Sequence, residues 1–67
     1  MTLIGSRTDE TGTLIRDGDA FHFRRDLGGR YRLELRRAPD DLVGQRVRLV
    51  GTLVGADLVS ADGVTSV

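Results

Sequence analysis

The sequence lacks cysteine, tryptophan and lysine altogether, and it contains a single proline and a single histidine. The absence of cysteine excludes disulfides and thiolate metal sites, and it suits a reducing cytoplasm. Long apolar runs are absent too, since none approaches the roughly 18 residues of a membrane-spanning helix, and residues 1 to 5 do not resemble a signal peptide. We therefore expect a cytoplasmic protein that contacts no membrane and holds no metal or cofactor.

Motifs of catalysis are also missing. The nine glycines form neither a phosphate-binding loop nor a dinucleotide-binding fingerprint. Asp40 and Asp41 resemble a general acid–base pair, but adjacent side chains do not converge, and both carboxylates suit the positive end of a helical turn. No serine stands in a triad pattern. The sequence therefore predicts a protein that is not an enzyme.

What the chain does contain is a series of short apolar and β-branched runs separated by turn residues. Its 67 residues have room for one domain, whose single core typically contributes only about 3–5 kcal/mol of net stability. We interpret residues 1 to 10 as a flexible lead-in, although Leu3 and Ile4 remain candidates for a short edge strand. Residues 11 to 67 form the predicted domain.

The first hairpin is predicted around Asp17 and Gly18. An Asp-Gly pair between two strands is typical of a two-residue type I′ turn. This turn sets Leu14 opposite Phe21 on the inward face, and it places Phe23 over a glycine.

The second hairpin is predicted over residues 21 to 36. Only a three-residue loop, residues 27 to 29, keeps the apolar side chains on one face, and its two glycines suit a left-handed backbone. The inward pairs are then Phe23–Leu33, Phe21–Leu35 and Arg25–Tyr31, and the outward pairs are Asp26–Arg30, Arg24–Arg32, His22–Glu34 and Ala20–Arg36.

Residues 38 to 44 break the alternation of the strands. Pro39 and the two aspartates after it favour the start of a short helical turn, and Gly44 suits its C-terminal end. We expect Leu42 or Val43 to enter the core from this turn.

The last two strands follow from the pattern of residues 45 to 61. A long strand over residues 45 to 54 has Gly51 at a bend or bulge, and a three-residue loop connects it to a strand over residues 58 to 61. This loop pairs Leu53 with Val59 and Gly51 with Ala61. The dipeptide at residues 62 and 63 is then predicted to turn the chain.

This order predicts an all-β fold, a small five-stranded OB-like Greek-key barrel with a short helical turn between strands 3 and 4. Short antiparallel strands in this number usually close, because closure removes exposed edges. An SH3-like barrel is the alternative, but its single 3₁₀ turn lies between its last two strands.

Two segments carry a family resemblance: TGTLIRDGDAFHFRRDLGGRYRLEL and LVGQRVRLVGTLVGADL. Their motifs are the run that starts at Thr11, the turn at Gly28 and Gly29, and the run from Val47 to Thr52. In these motifs the chain resembles short bacterial OB-like proteins classed as a domain of unknown function. The resemblance implies the fold and implies no activity.

The formal net charge is zero, but the charges are unevenly distributed. All ten basic residues are arginine. Residues 24 to 48 contain eight arginines and four acidic residues, a net charge of +4. The rest of the chain contains two arginines and six acidic residues, a net charge of −4. On the predicted outward face, Arg24 lies opposite Arg32. Like charges directly across a ladder are unfavourable, so this pair needs acidic neighbours or a bound anion.

In OB folds this face of strands 2 and 3 is the usual oligonucleotide site. The candidate residues for binding single-stranded nucleic acid are Arg24, Arg30, Arg32, Arg36, His22 and Tyr31. The three aromatic rings point inward in the predicted register, and only that of Tyr31 lies near enough to the open end to reach a groove.

Two alternatives are supported by residues of the sequence, whereas a small-molecule or oligosaccharide binder is allowed by the fold but supported by no set of residues. The arginine face is a solvated surface if Asp26 and Glu34 neutralise it. The chain is a protein-interaction or self-assembly module, either monomer or weak homo-oligomer, if it uses its outward apolar side chains, which are Ile15, Ala20, Val50, Val54 and Leu58.

Overall fold

The computed structural model describes residues 4 to 67. Its five strands are β1 (Arg7–Asp17), β2 (Ala20–Arg25), β3 (Arg30–Glu34), β4 (Arg46–Leu53) and β5 (Leu58–Ser66). A single-turn 3₁₀ helix (Asp40–Leu42) lies between β3 and β4. The predicted all-β class and the helical turn between strands 3 and 4 are confirmed.

The strands form one closed sheet in the order β1-β2-β3-β5-β4, with β4 returning to β1. Neighbours are antiparallel except β3 and β5, which are parallel. Strand β1 is long enough to serve two neighbours, because residues 7 to 13 pair with β4 and residues 12 to 17 pair with β2. Between Val50 and Gly51 of β4 the partner on β5 changes from Gly63 to Ala61, so that Asp62 is the extra residue of a bulge. A bulge bends the strand that contains it, which here is β5.

The predicted register of the first hairpin is wrong by two residues. The loop consists of Gly18 and Asp19, so that Leu14 lies opposite Phe23. A type I′ turn starting at Asp17 would need a positive φ there, whereas Gly18 alone takes it, at +61°, as the first position of a type II′ turn requires. A shift of two residues keeps every side chain on its predicted face.

The second hairpin is shifted by two residues as well. The structure pairs Phe23 with Tyr31 and Arg24 with Arg30, in place of the predicted partners Leu33 and Arg32. The backbone N–H of Arg25 donates to the carbonyl of Gly29 at 3.0 Å, so the loop consists of residues 26 to 28. A three-residue hairpin loop typically ends on a residue with left-handed backbone. Gly28 takes that last position with φ of +106°, and Gly29, opposite Arg25, follows with φ of +83°.

The core is built from the inward positions of all five strands. It consists of Leu14, Phe23, Tyr31, Val47, Leu49, Leu53 and Val59. The predicted pairs Gly51–Ala61 and Leu53–Val59 are confirmed. A Cβ atom on Gly51 would lie 2.9 Å from Cγ1 of Val59, so the close approach of β5 at this position requires glycine.

Both ends of the domain are more regular than predicted. Residues 7 to 10, assigned to the flexible lead-in, belong to β1, because they pair with residues 49 to 52 of β4. Residues 62 and 63 do not turn the chain, since β5 continues past them to Ser66. Ile4 is exposed and lies outside the strands, and Leu3 lies outside the described residues.

The 3₁₀ turn contributes one side chain to the packing around the core. Leu42 packs against the core, as predicted for one of the two candidates, whereas Val43 is more exposed. Gly44 follows with φ of +82°, a conformation that suits glycine at the end of a helical turn. Within residues 4 to 67, no helix is long and apolar enough to span a membrane.

Candidate anion-binding face

The arginines divide into two groups by their partners. Among residues 4 to 67, the ion pairs are Arg7–Asp62, Arg16–Asp40, Arg25–Glu10, Arg32–Asp57, Arg46–Asp26 and Arg48–Asp9. The four remaining arginines have no carboxylate of the described residues within 4.0 Å. These are Arg24, Arg30, Arg36 and Arg37.

The wall formed by β1 and β4 neutralises its own arginines. Arg48 holds Asp9 with two hydrogen bonds, at 2.8 Å from Nε and 2.6 Å from Nη2. These bonds lower the pKa of the Asp9 carboxyl below its ordinary value. A bidentate contact of this kind fixes the geometry of the ion pair, so the charge of Arg48 is already neutralised within the sheet.

In the solvated-surface alternative Asp26 neutralises the hairpin arginines, but in the structure its carboxylate has other partners. Its carboxylate accepts a hydrogen bond from the hydroxyl of Thr11 at 2.8 Å and another from Arg46. These two contacts, the Thr11 bond first, lower the pKa of Asp26. Barrel closure brings Arg46 of β4 to this carboxylate, and the arginines of the hairpin are left without it.

Arg24 and Arg30 lie directly opposite each other near the tip of the hairpin, and both are exposed. The predicted pair of Arg24 with Arg32 is therefore replaced by a different like-charged pair. Glu34, the second predicted neutraliser, lies four residues from Arg30 along β3, or about 13 Å at ~3.3 Å per residue. It forms no ion pair among the described residues, so the Arg24–Arg30 pair keeps both charges.

His22 and Arg32 form the next cross-strand pair on the same face, which corrects the predicted partner Glu34. The histidine is half-buried, and its Nδ1 atom is buried without a hydrogen-bond partner among residues 4 to 67. Nε of Arg32 lies 4.0 Å from Oδ1 of Asp57, with both side chains mostly exposed. An exposed pair at that distance contributes little, so Arg32 is only loosely neutralised.

Tyr31 does not belong to this face, contrary to the prediction that it could contact a ligand. It is 7% exposed, and its hydroxyl donates to Glu10 at 3.4 Å. Burial raises the pKa of the Tyr31 phenol. Cζ of Arg25 lies 4.8 Å from the centroid of the Tyr31 ring. Nε of Arg25 donates a hydrogen bond to Glu10 at 2.8 Å, and this bond raises the pKa of Arg25.

Glu10, Arg25 and Tyr31 thus form a polar plug, in which the buried Tyr31 contacts two half-buried charged side chains that also contact each other. Sequence reasoning missed it because Glu10 was assigned to the lead-in. The signal that could have found it is the alternation of β1, in which Glu10 shares the inward side with Gly12 and Leu14.

Arg36 also departs from the predicted stripe. It follows the end of β3 and lines a groove together with Arg37. The structure therefore brings together Arg24, Arg30, Arg32 and His22, and it separates Tyr31 and Arg36 from them. Among the described residues, no three carboxylate or imidazole side chains are grouped to hold a metal ion.

The fold and its charges define a small all-β protein with a closed sheet and a like-charged arginine pair on the outer face of β2 and β3. The chain belongs to the family described as "Protein of unknown function (DUF5818)", whose model matches residues 11–67. The predicted resemblance to a domain of unknown function is therefore confirmed for residues 11–67. No curated protein and no solved structure matches the chain.

Proposed function

We propose that this protein is a non-enzymatic binding module that holds single-stranded nucleic acid by its phosphates at the Arg24–Arg30 pair. The observation that carries the proposal is that these two arginines lack the carboxylate partners that six other arginines have. Six arginines of the described chain are paired with carboxylates, whereas these two face each other across a ladder, exposed and unneutralised. A phosphate between them removes the repulsion that the free protein carries.

The topology supports an OB-like assignment, in which this surface is the expected site. OB folds are five-stranded Greek-key barrels that bind oligonucleotides on strands 2 and 3 and on the loops between strands 1 and 2 and between strands 4 and 5. Here the second of these loops contains Asp57, which lies beside Arg32. The Arg24–Arg30 pair and the pair of His22 with Arg32 are neighbours on that surface.

The expected mode of binding is electrostatic and sequence-tolerant. Aromatic side chains normally supply stacking worth about 1–3 kcal/mol per base, but Phe23 and Tyr31 are buried and Phe21 packs against the core. His22 is the only ring on the outer side of the hairpin in the described chain. We therefore expect weak binding with a strong dependence on salt.

Self-assembly remains the alternative function, with less support. Of the five apolar side chains that suggested it, only Ala20 and Val54 are exposed, while the other three are half-buried. The cytoplasmic location expected from the sequence remains part of the proposal.

The test is fluorescence anisotropy with a labelled oligothymidylate at low and at physiological salt. The double variant R24A/R30A should weaken binding and reduce the slope of log K against log salt by about 1.4, since each phosphate contact of a single strand contributes ~0.7. The matched control is R7A/R48A, which removes the same charge from two exposed arginines that are paired with aspartates. It should bind nearly as well as the unmodified protein.

Two results would overturn the proposal. One is the absence of binding at tens of micromolar protein in low salt, where phosphate-driven affinity is greatest. The other is an equal loss in both double variants, which would assign binding to the net charge of the protein. Light scattering over a concentration series separately tests self-assembly, which predicts a mass that rises with concentration.

A further inference from the structure

A groove of about 460 Å³ lies beside β5, on the side away from β4. One wall is the irregular segment of residues 35 to 39, which leads from β3 to the 3₁₀ turn, and the other wall is residues 61 to 64 of β5. It lies beyond the end of β3, whereas the Arg24–Arg30 pair lies at the beginning of that strand. The groove is therefore a separate surface from the proposed nucleic-acid site.

The groove exposes the edge of a strand. Strand β5 pairs with β3 only from Leu58 to Ser60, and after that its partner in the described chain is β4 alone. No backbone hydrogen bond joins residues 35 to 39 to residues 61 to 64 in the described structure. An unpaired strand edge is a template for an added strand, and extended peptides bind other proteins in this way.

Most of the apolar side chains that line the groove are half-buried, and the basic ones are exposed. Leu35, Pro39, Ala61 and Val64 supply the apolar surface. Arg36 and Arg37 line the groove without a carboxylate partner among the described residues.

Asp62 is the one acidic residue of the lining, and it is already engaged. Nη1 of Arg7 lies 2.6 Å from its carboxylate. The two guanidinium charges of Arg36 and Arg37 are therefore left to a ligand. The charge of the groove suits a segment with carboxylates beside small apolar side chains.

We infer that this groove binds an extended acidic peptide segment of a partner protein, which pairs with the free edge of β5 while its carboxylates contact Arg36 and Arg37. Alternation along a strand places carboxylates on one side of such a segment and apolar side chains on the other. The inference does not depend on nucleic-acid binding, because the two sites share no residue.

The test uses a capped synthetic peptide of alternating valine and glutamate. A length of about six residues suffices, because the β5 wall spans only four residues at ~3.3 Å each. Titrated into isotope-labelled protein, the peptide should shift the backbone amide signals of residues 61 to 64. The same signals should stay in place with a peptide of alternating valine and lysine.

Variants assign the contact to the groove. R36A/R37A should weaken peptide binding about tenfold or more, since charge-assisted hydrogen bonds are lost. R24A/R30A removes the same charge from the other site and should bind the peptide normally. Ala38 is exposed and lines the groove, so A38E should also weaken binding through bulk and repulsion while both arginines remain.

Three results would overturn the inference. The first is the absence of amide shifts at millimolar acidic peptide, and the second is equal binding of the lysine peptide. The third is a set of shifts at residues 61 to 64 that an oligonucleotide produces and the acidic peptide does not, which would make the groove part of a nucleic-acid path. Failure of the oligonucleotide to bind at Arg24 and Arg30 leaves the peptide result unaffected.

Discussion

The wall formed by β1 and β4 and the hairpin formed by β2 and β3 use the same basic residue for different purposes. Arg48 on β4 meets Asp9 on β1 in a bidentate contact, whereas Arg24 on β2 meets Arg30 on β3. The paired Arg48 and the unpaired Arg24 and Arg30 all lie on outward strand positions and are exposed. The difference teaches that the missing partner, and not the number of arginines, identifies a candidate binding surface in this protein.

Strand β4 and the loop at the tip of the hairpin also differ in how closely other atoms approach their glycines. On the β4 side a side chain at Gly51 would contact the carbonyl of Ser60 and Val59. In the hairpin loop an added Cβ on Gly28 would meet nothing within 4 Å. The β4 wall therefore maintains the fold, and the tip of the hairpin is free to contact a ligand.

Replacing Gly51 by alanine breaks the β4 wall and is the largest effect we expect. The new methyl group would lie 2.9 Å from Cγ1 of Val59, and overpacking of this kind costs about 3 kcal/mol. The control is Gly63→Ala on β5, where an added Cβ meets nothing within 4 Å and the cost stays within about 1 kcal/mol. Urea unfolding measures both, and equal midpoints would contradict the role of Gly51.

Replacing Glu10 by glutamine breaks the link between β1 and the inner side of the hairpin. Loss of the charge-assisted hydrogen bond to Arg25 should reduce the free energy of unfolding by about 1–2 kcal/mol. The pKa of Tyr31 should fall, because the Glu10 charge contributes to raising it. Tyrosinate absorbance reports this directly, since the chain has one tyrosine and no tryptophan.

The matched control for this variant is Glu34→Gln. Glu34 is exposed and has no ion pair among the described residues, so the same chemical change should leave the stability and the Tyr31 pKa as they are. An unchanged Tyr31 pKa in the Glu10 variant would contradict the plug.

The raised pKa of Tyr31 also predicts how stability depends on alkaline pH. Because the folded protein holds the phenolic proton more tightly than the unfolded chain, this contribution is complete below the ordinary value of 10.0. It is lost as the pH rises through the folded pKa. Tyr31→Phe should remove this alkaline dependence in thermal unfolding measured across that range, and a dependence that persists would assign it to another group.

Arg48→Ala and Arg24→Ala should differ in their effects on thermal stability. The first removes the partner of Asp9 and should lower the melting temperature slightly, because exposed ion pairs are weak. The second relieves the repulsion with Arg30 and should leave the melting temperature unchanged or raise it. Both differences should shrink at high salt, and a decrease for Arg24→Ala as large as for Arg48→Ala would remove the contrast between the two regions.

The smallest effect that we expect is a change in the pKa of the Asp9 carboxyl. Its pKa lies below 3.8 mainly because Arg48 donates to it, so Arg48→Ala should move the pKa up toward the ordinary value. A group with a lowered pKa stabilises the fold above the unfolded value and loses that contribution as the pH falls through the folded pKa. Carboxyl chemical shifts measure the change, with Asp26 as the internal control that should keep its lowered pKa.

Much of the fold was predictable because it depends on local alternation. The inward faces of Leu14, Phe23 and Val47 follow from a side-chain period of two, and both hairpin errors were shifts of two residues, which preserve that period. The predicted hairpin registers were wrong because two registers that differ by two residues place the same side chains inward, and only the turn type distinguishes them. The assignment of Gly18 to the first loop position depends on one backbone angle.

The candidate site was predictable only in part. Arg24 and Arg30 were named from the sequence, but the partners expected for them were wrong, since Asp26 contacts Arg46 and Glu34 forms no described ion pair. The basic groove at Arg36 and Arg37 was not foreseen, because it forms between a linker and a strand that are distant in the sequence.

Local patterns in the sequence specify the number of strands, the side of each strand that forms the core, and the positions where a glycine is needed. These features depend on residues a few positions apart, and the hydrophobic effect enforces them wherever the strand is placed. Which arginines are neutralised depends instead on long-range contacts. Barrel closure joins Arg48 to Asp9 across 39 residues and Arg7 to Asp62 across 55, and no local pattern encodes contacts at that separation.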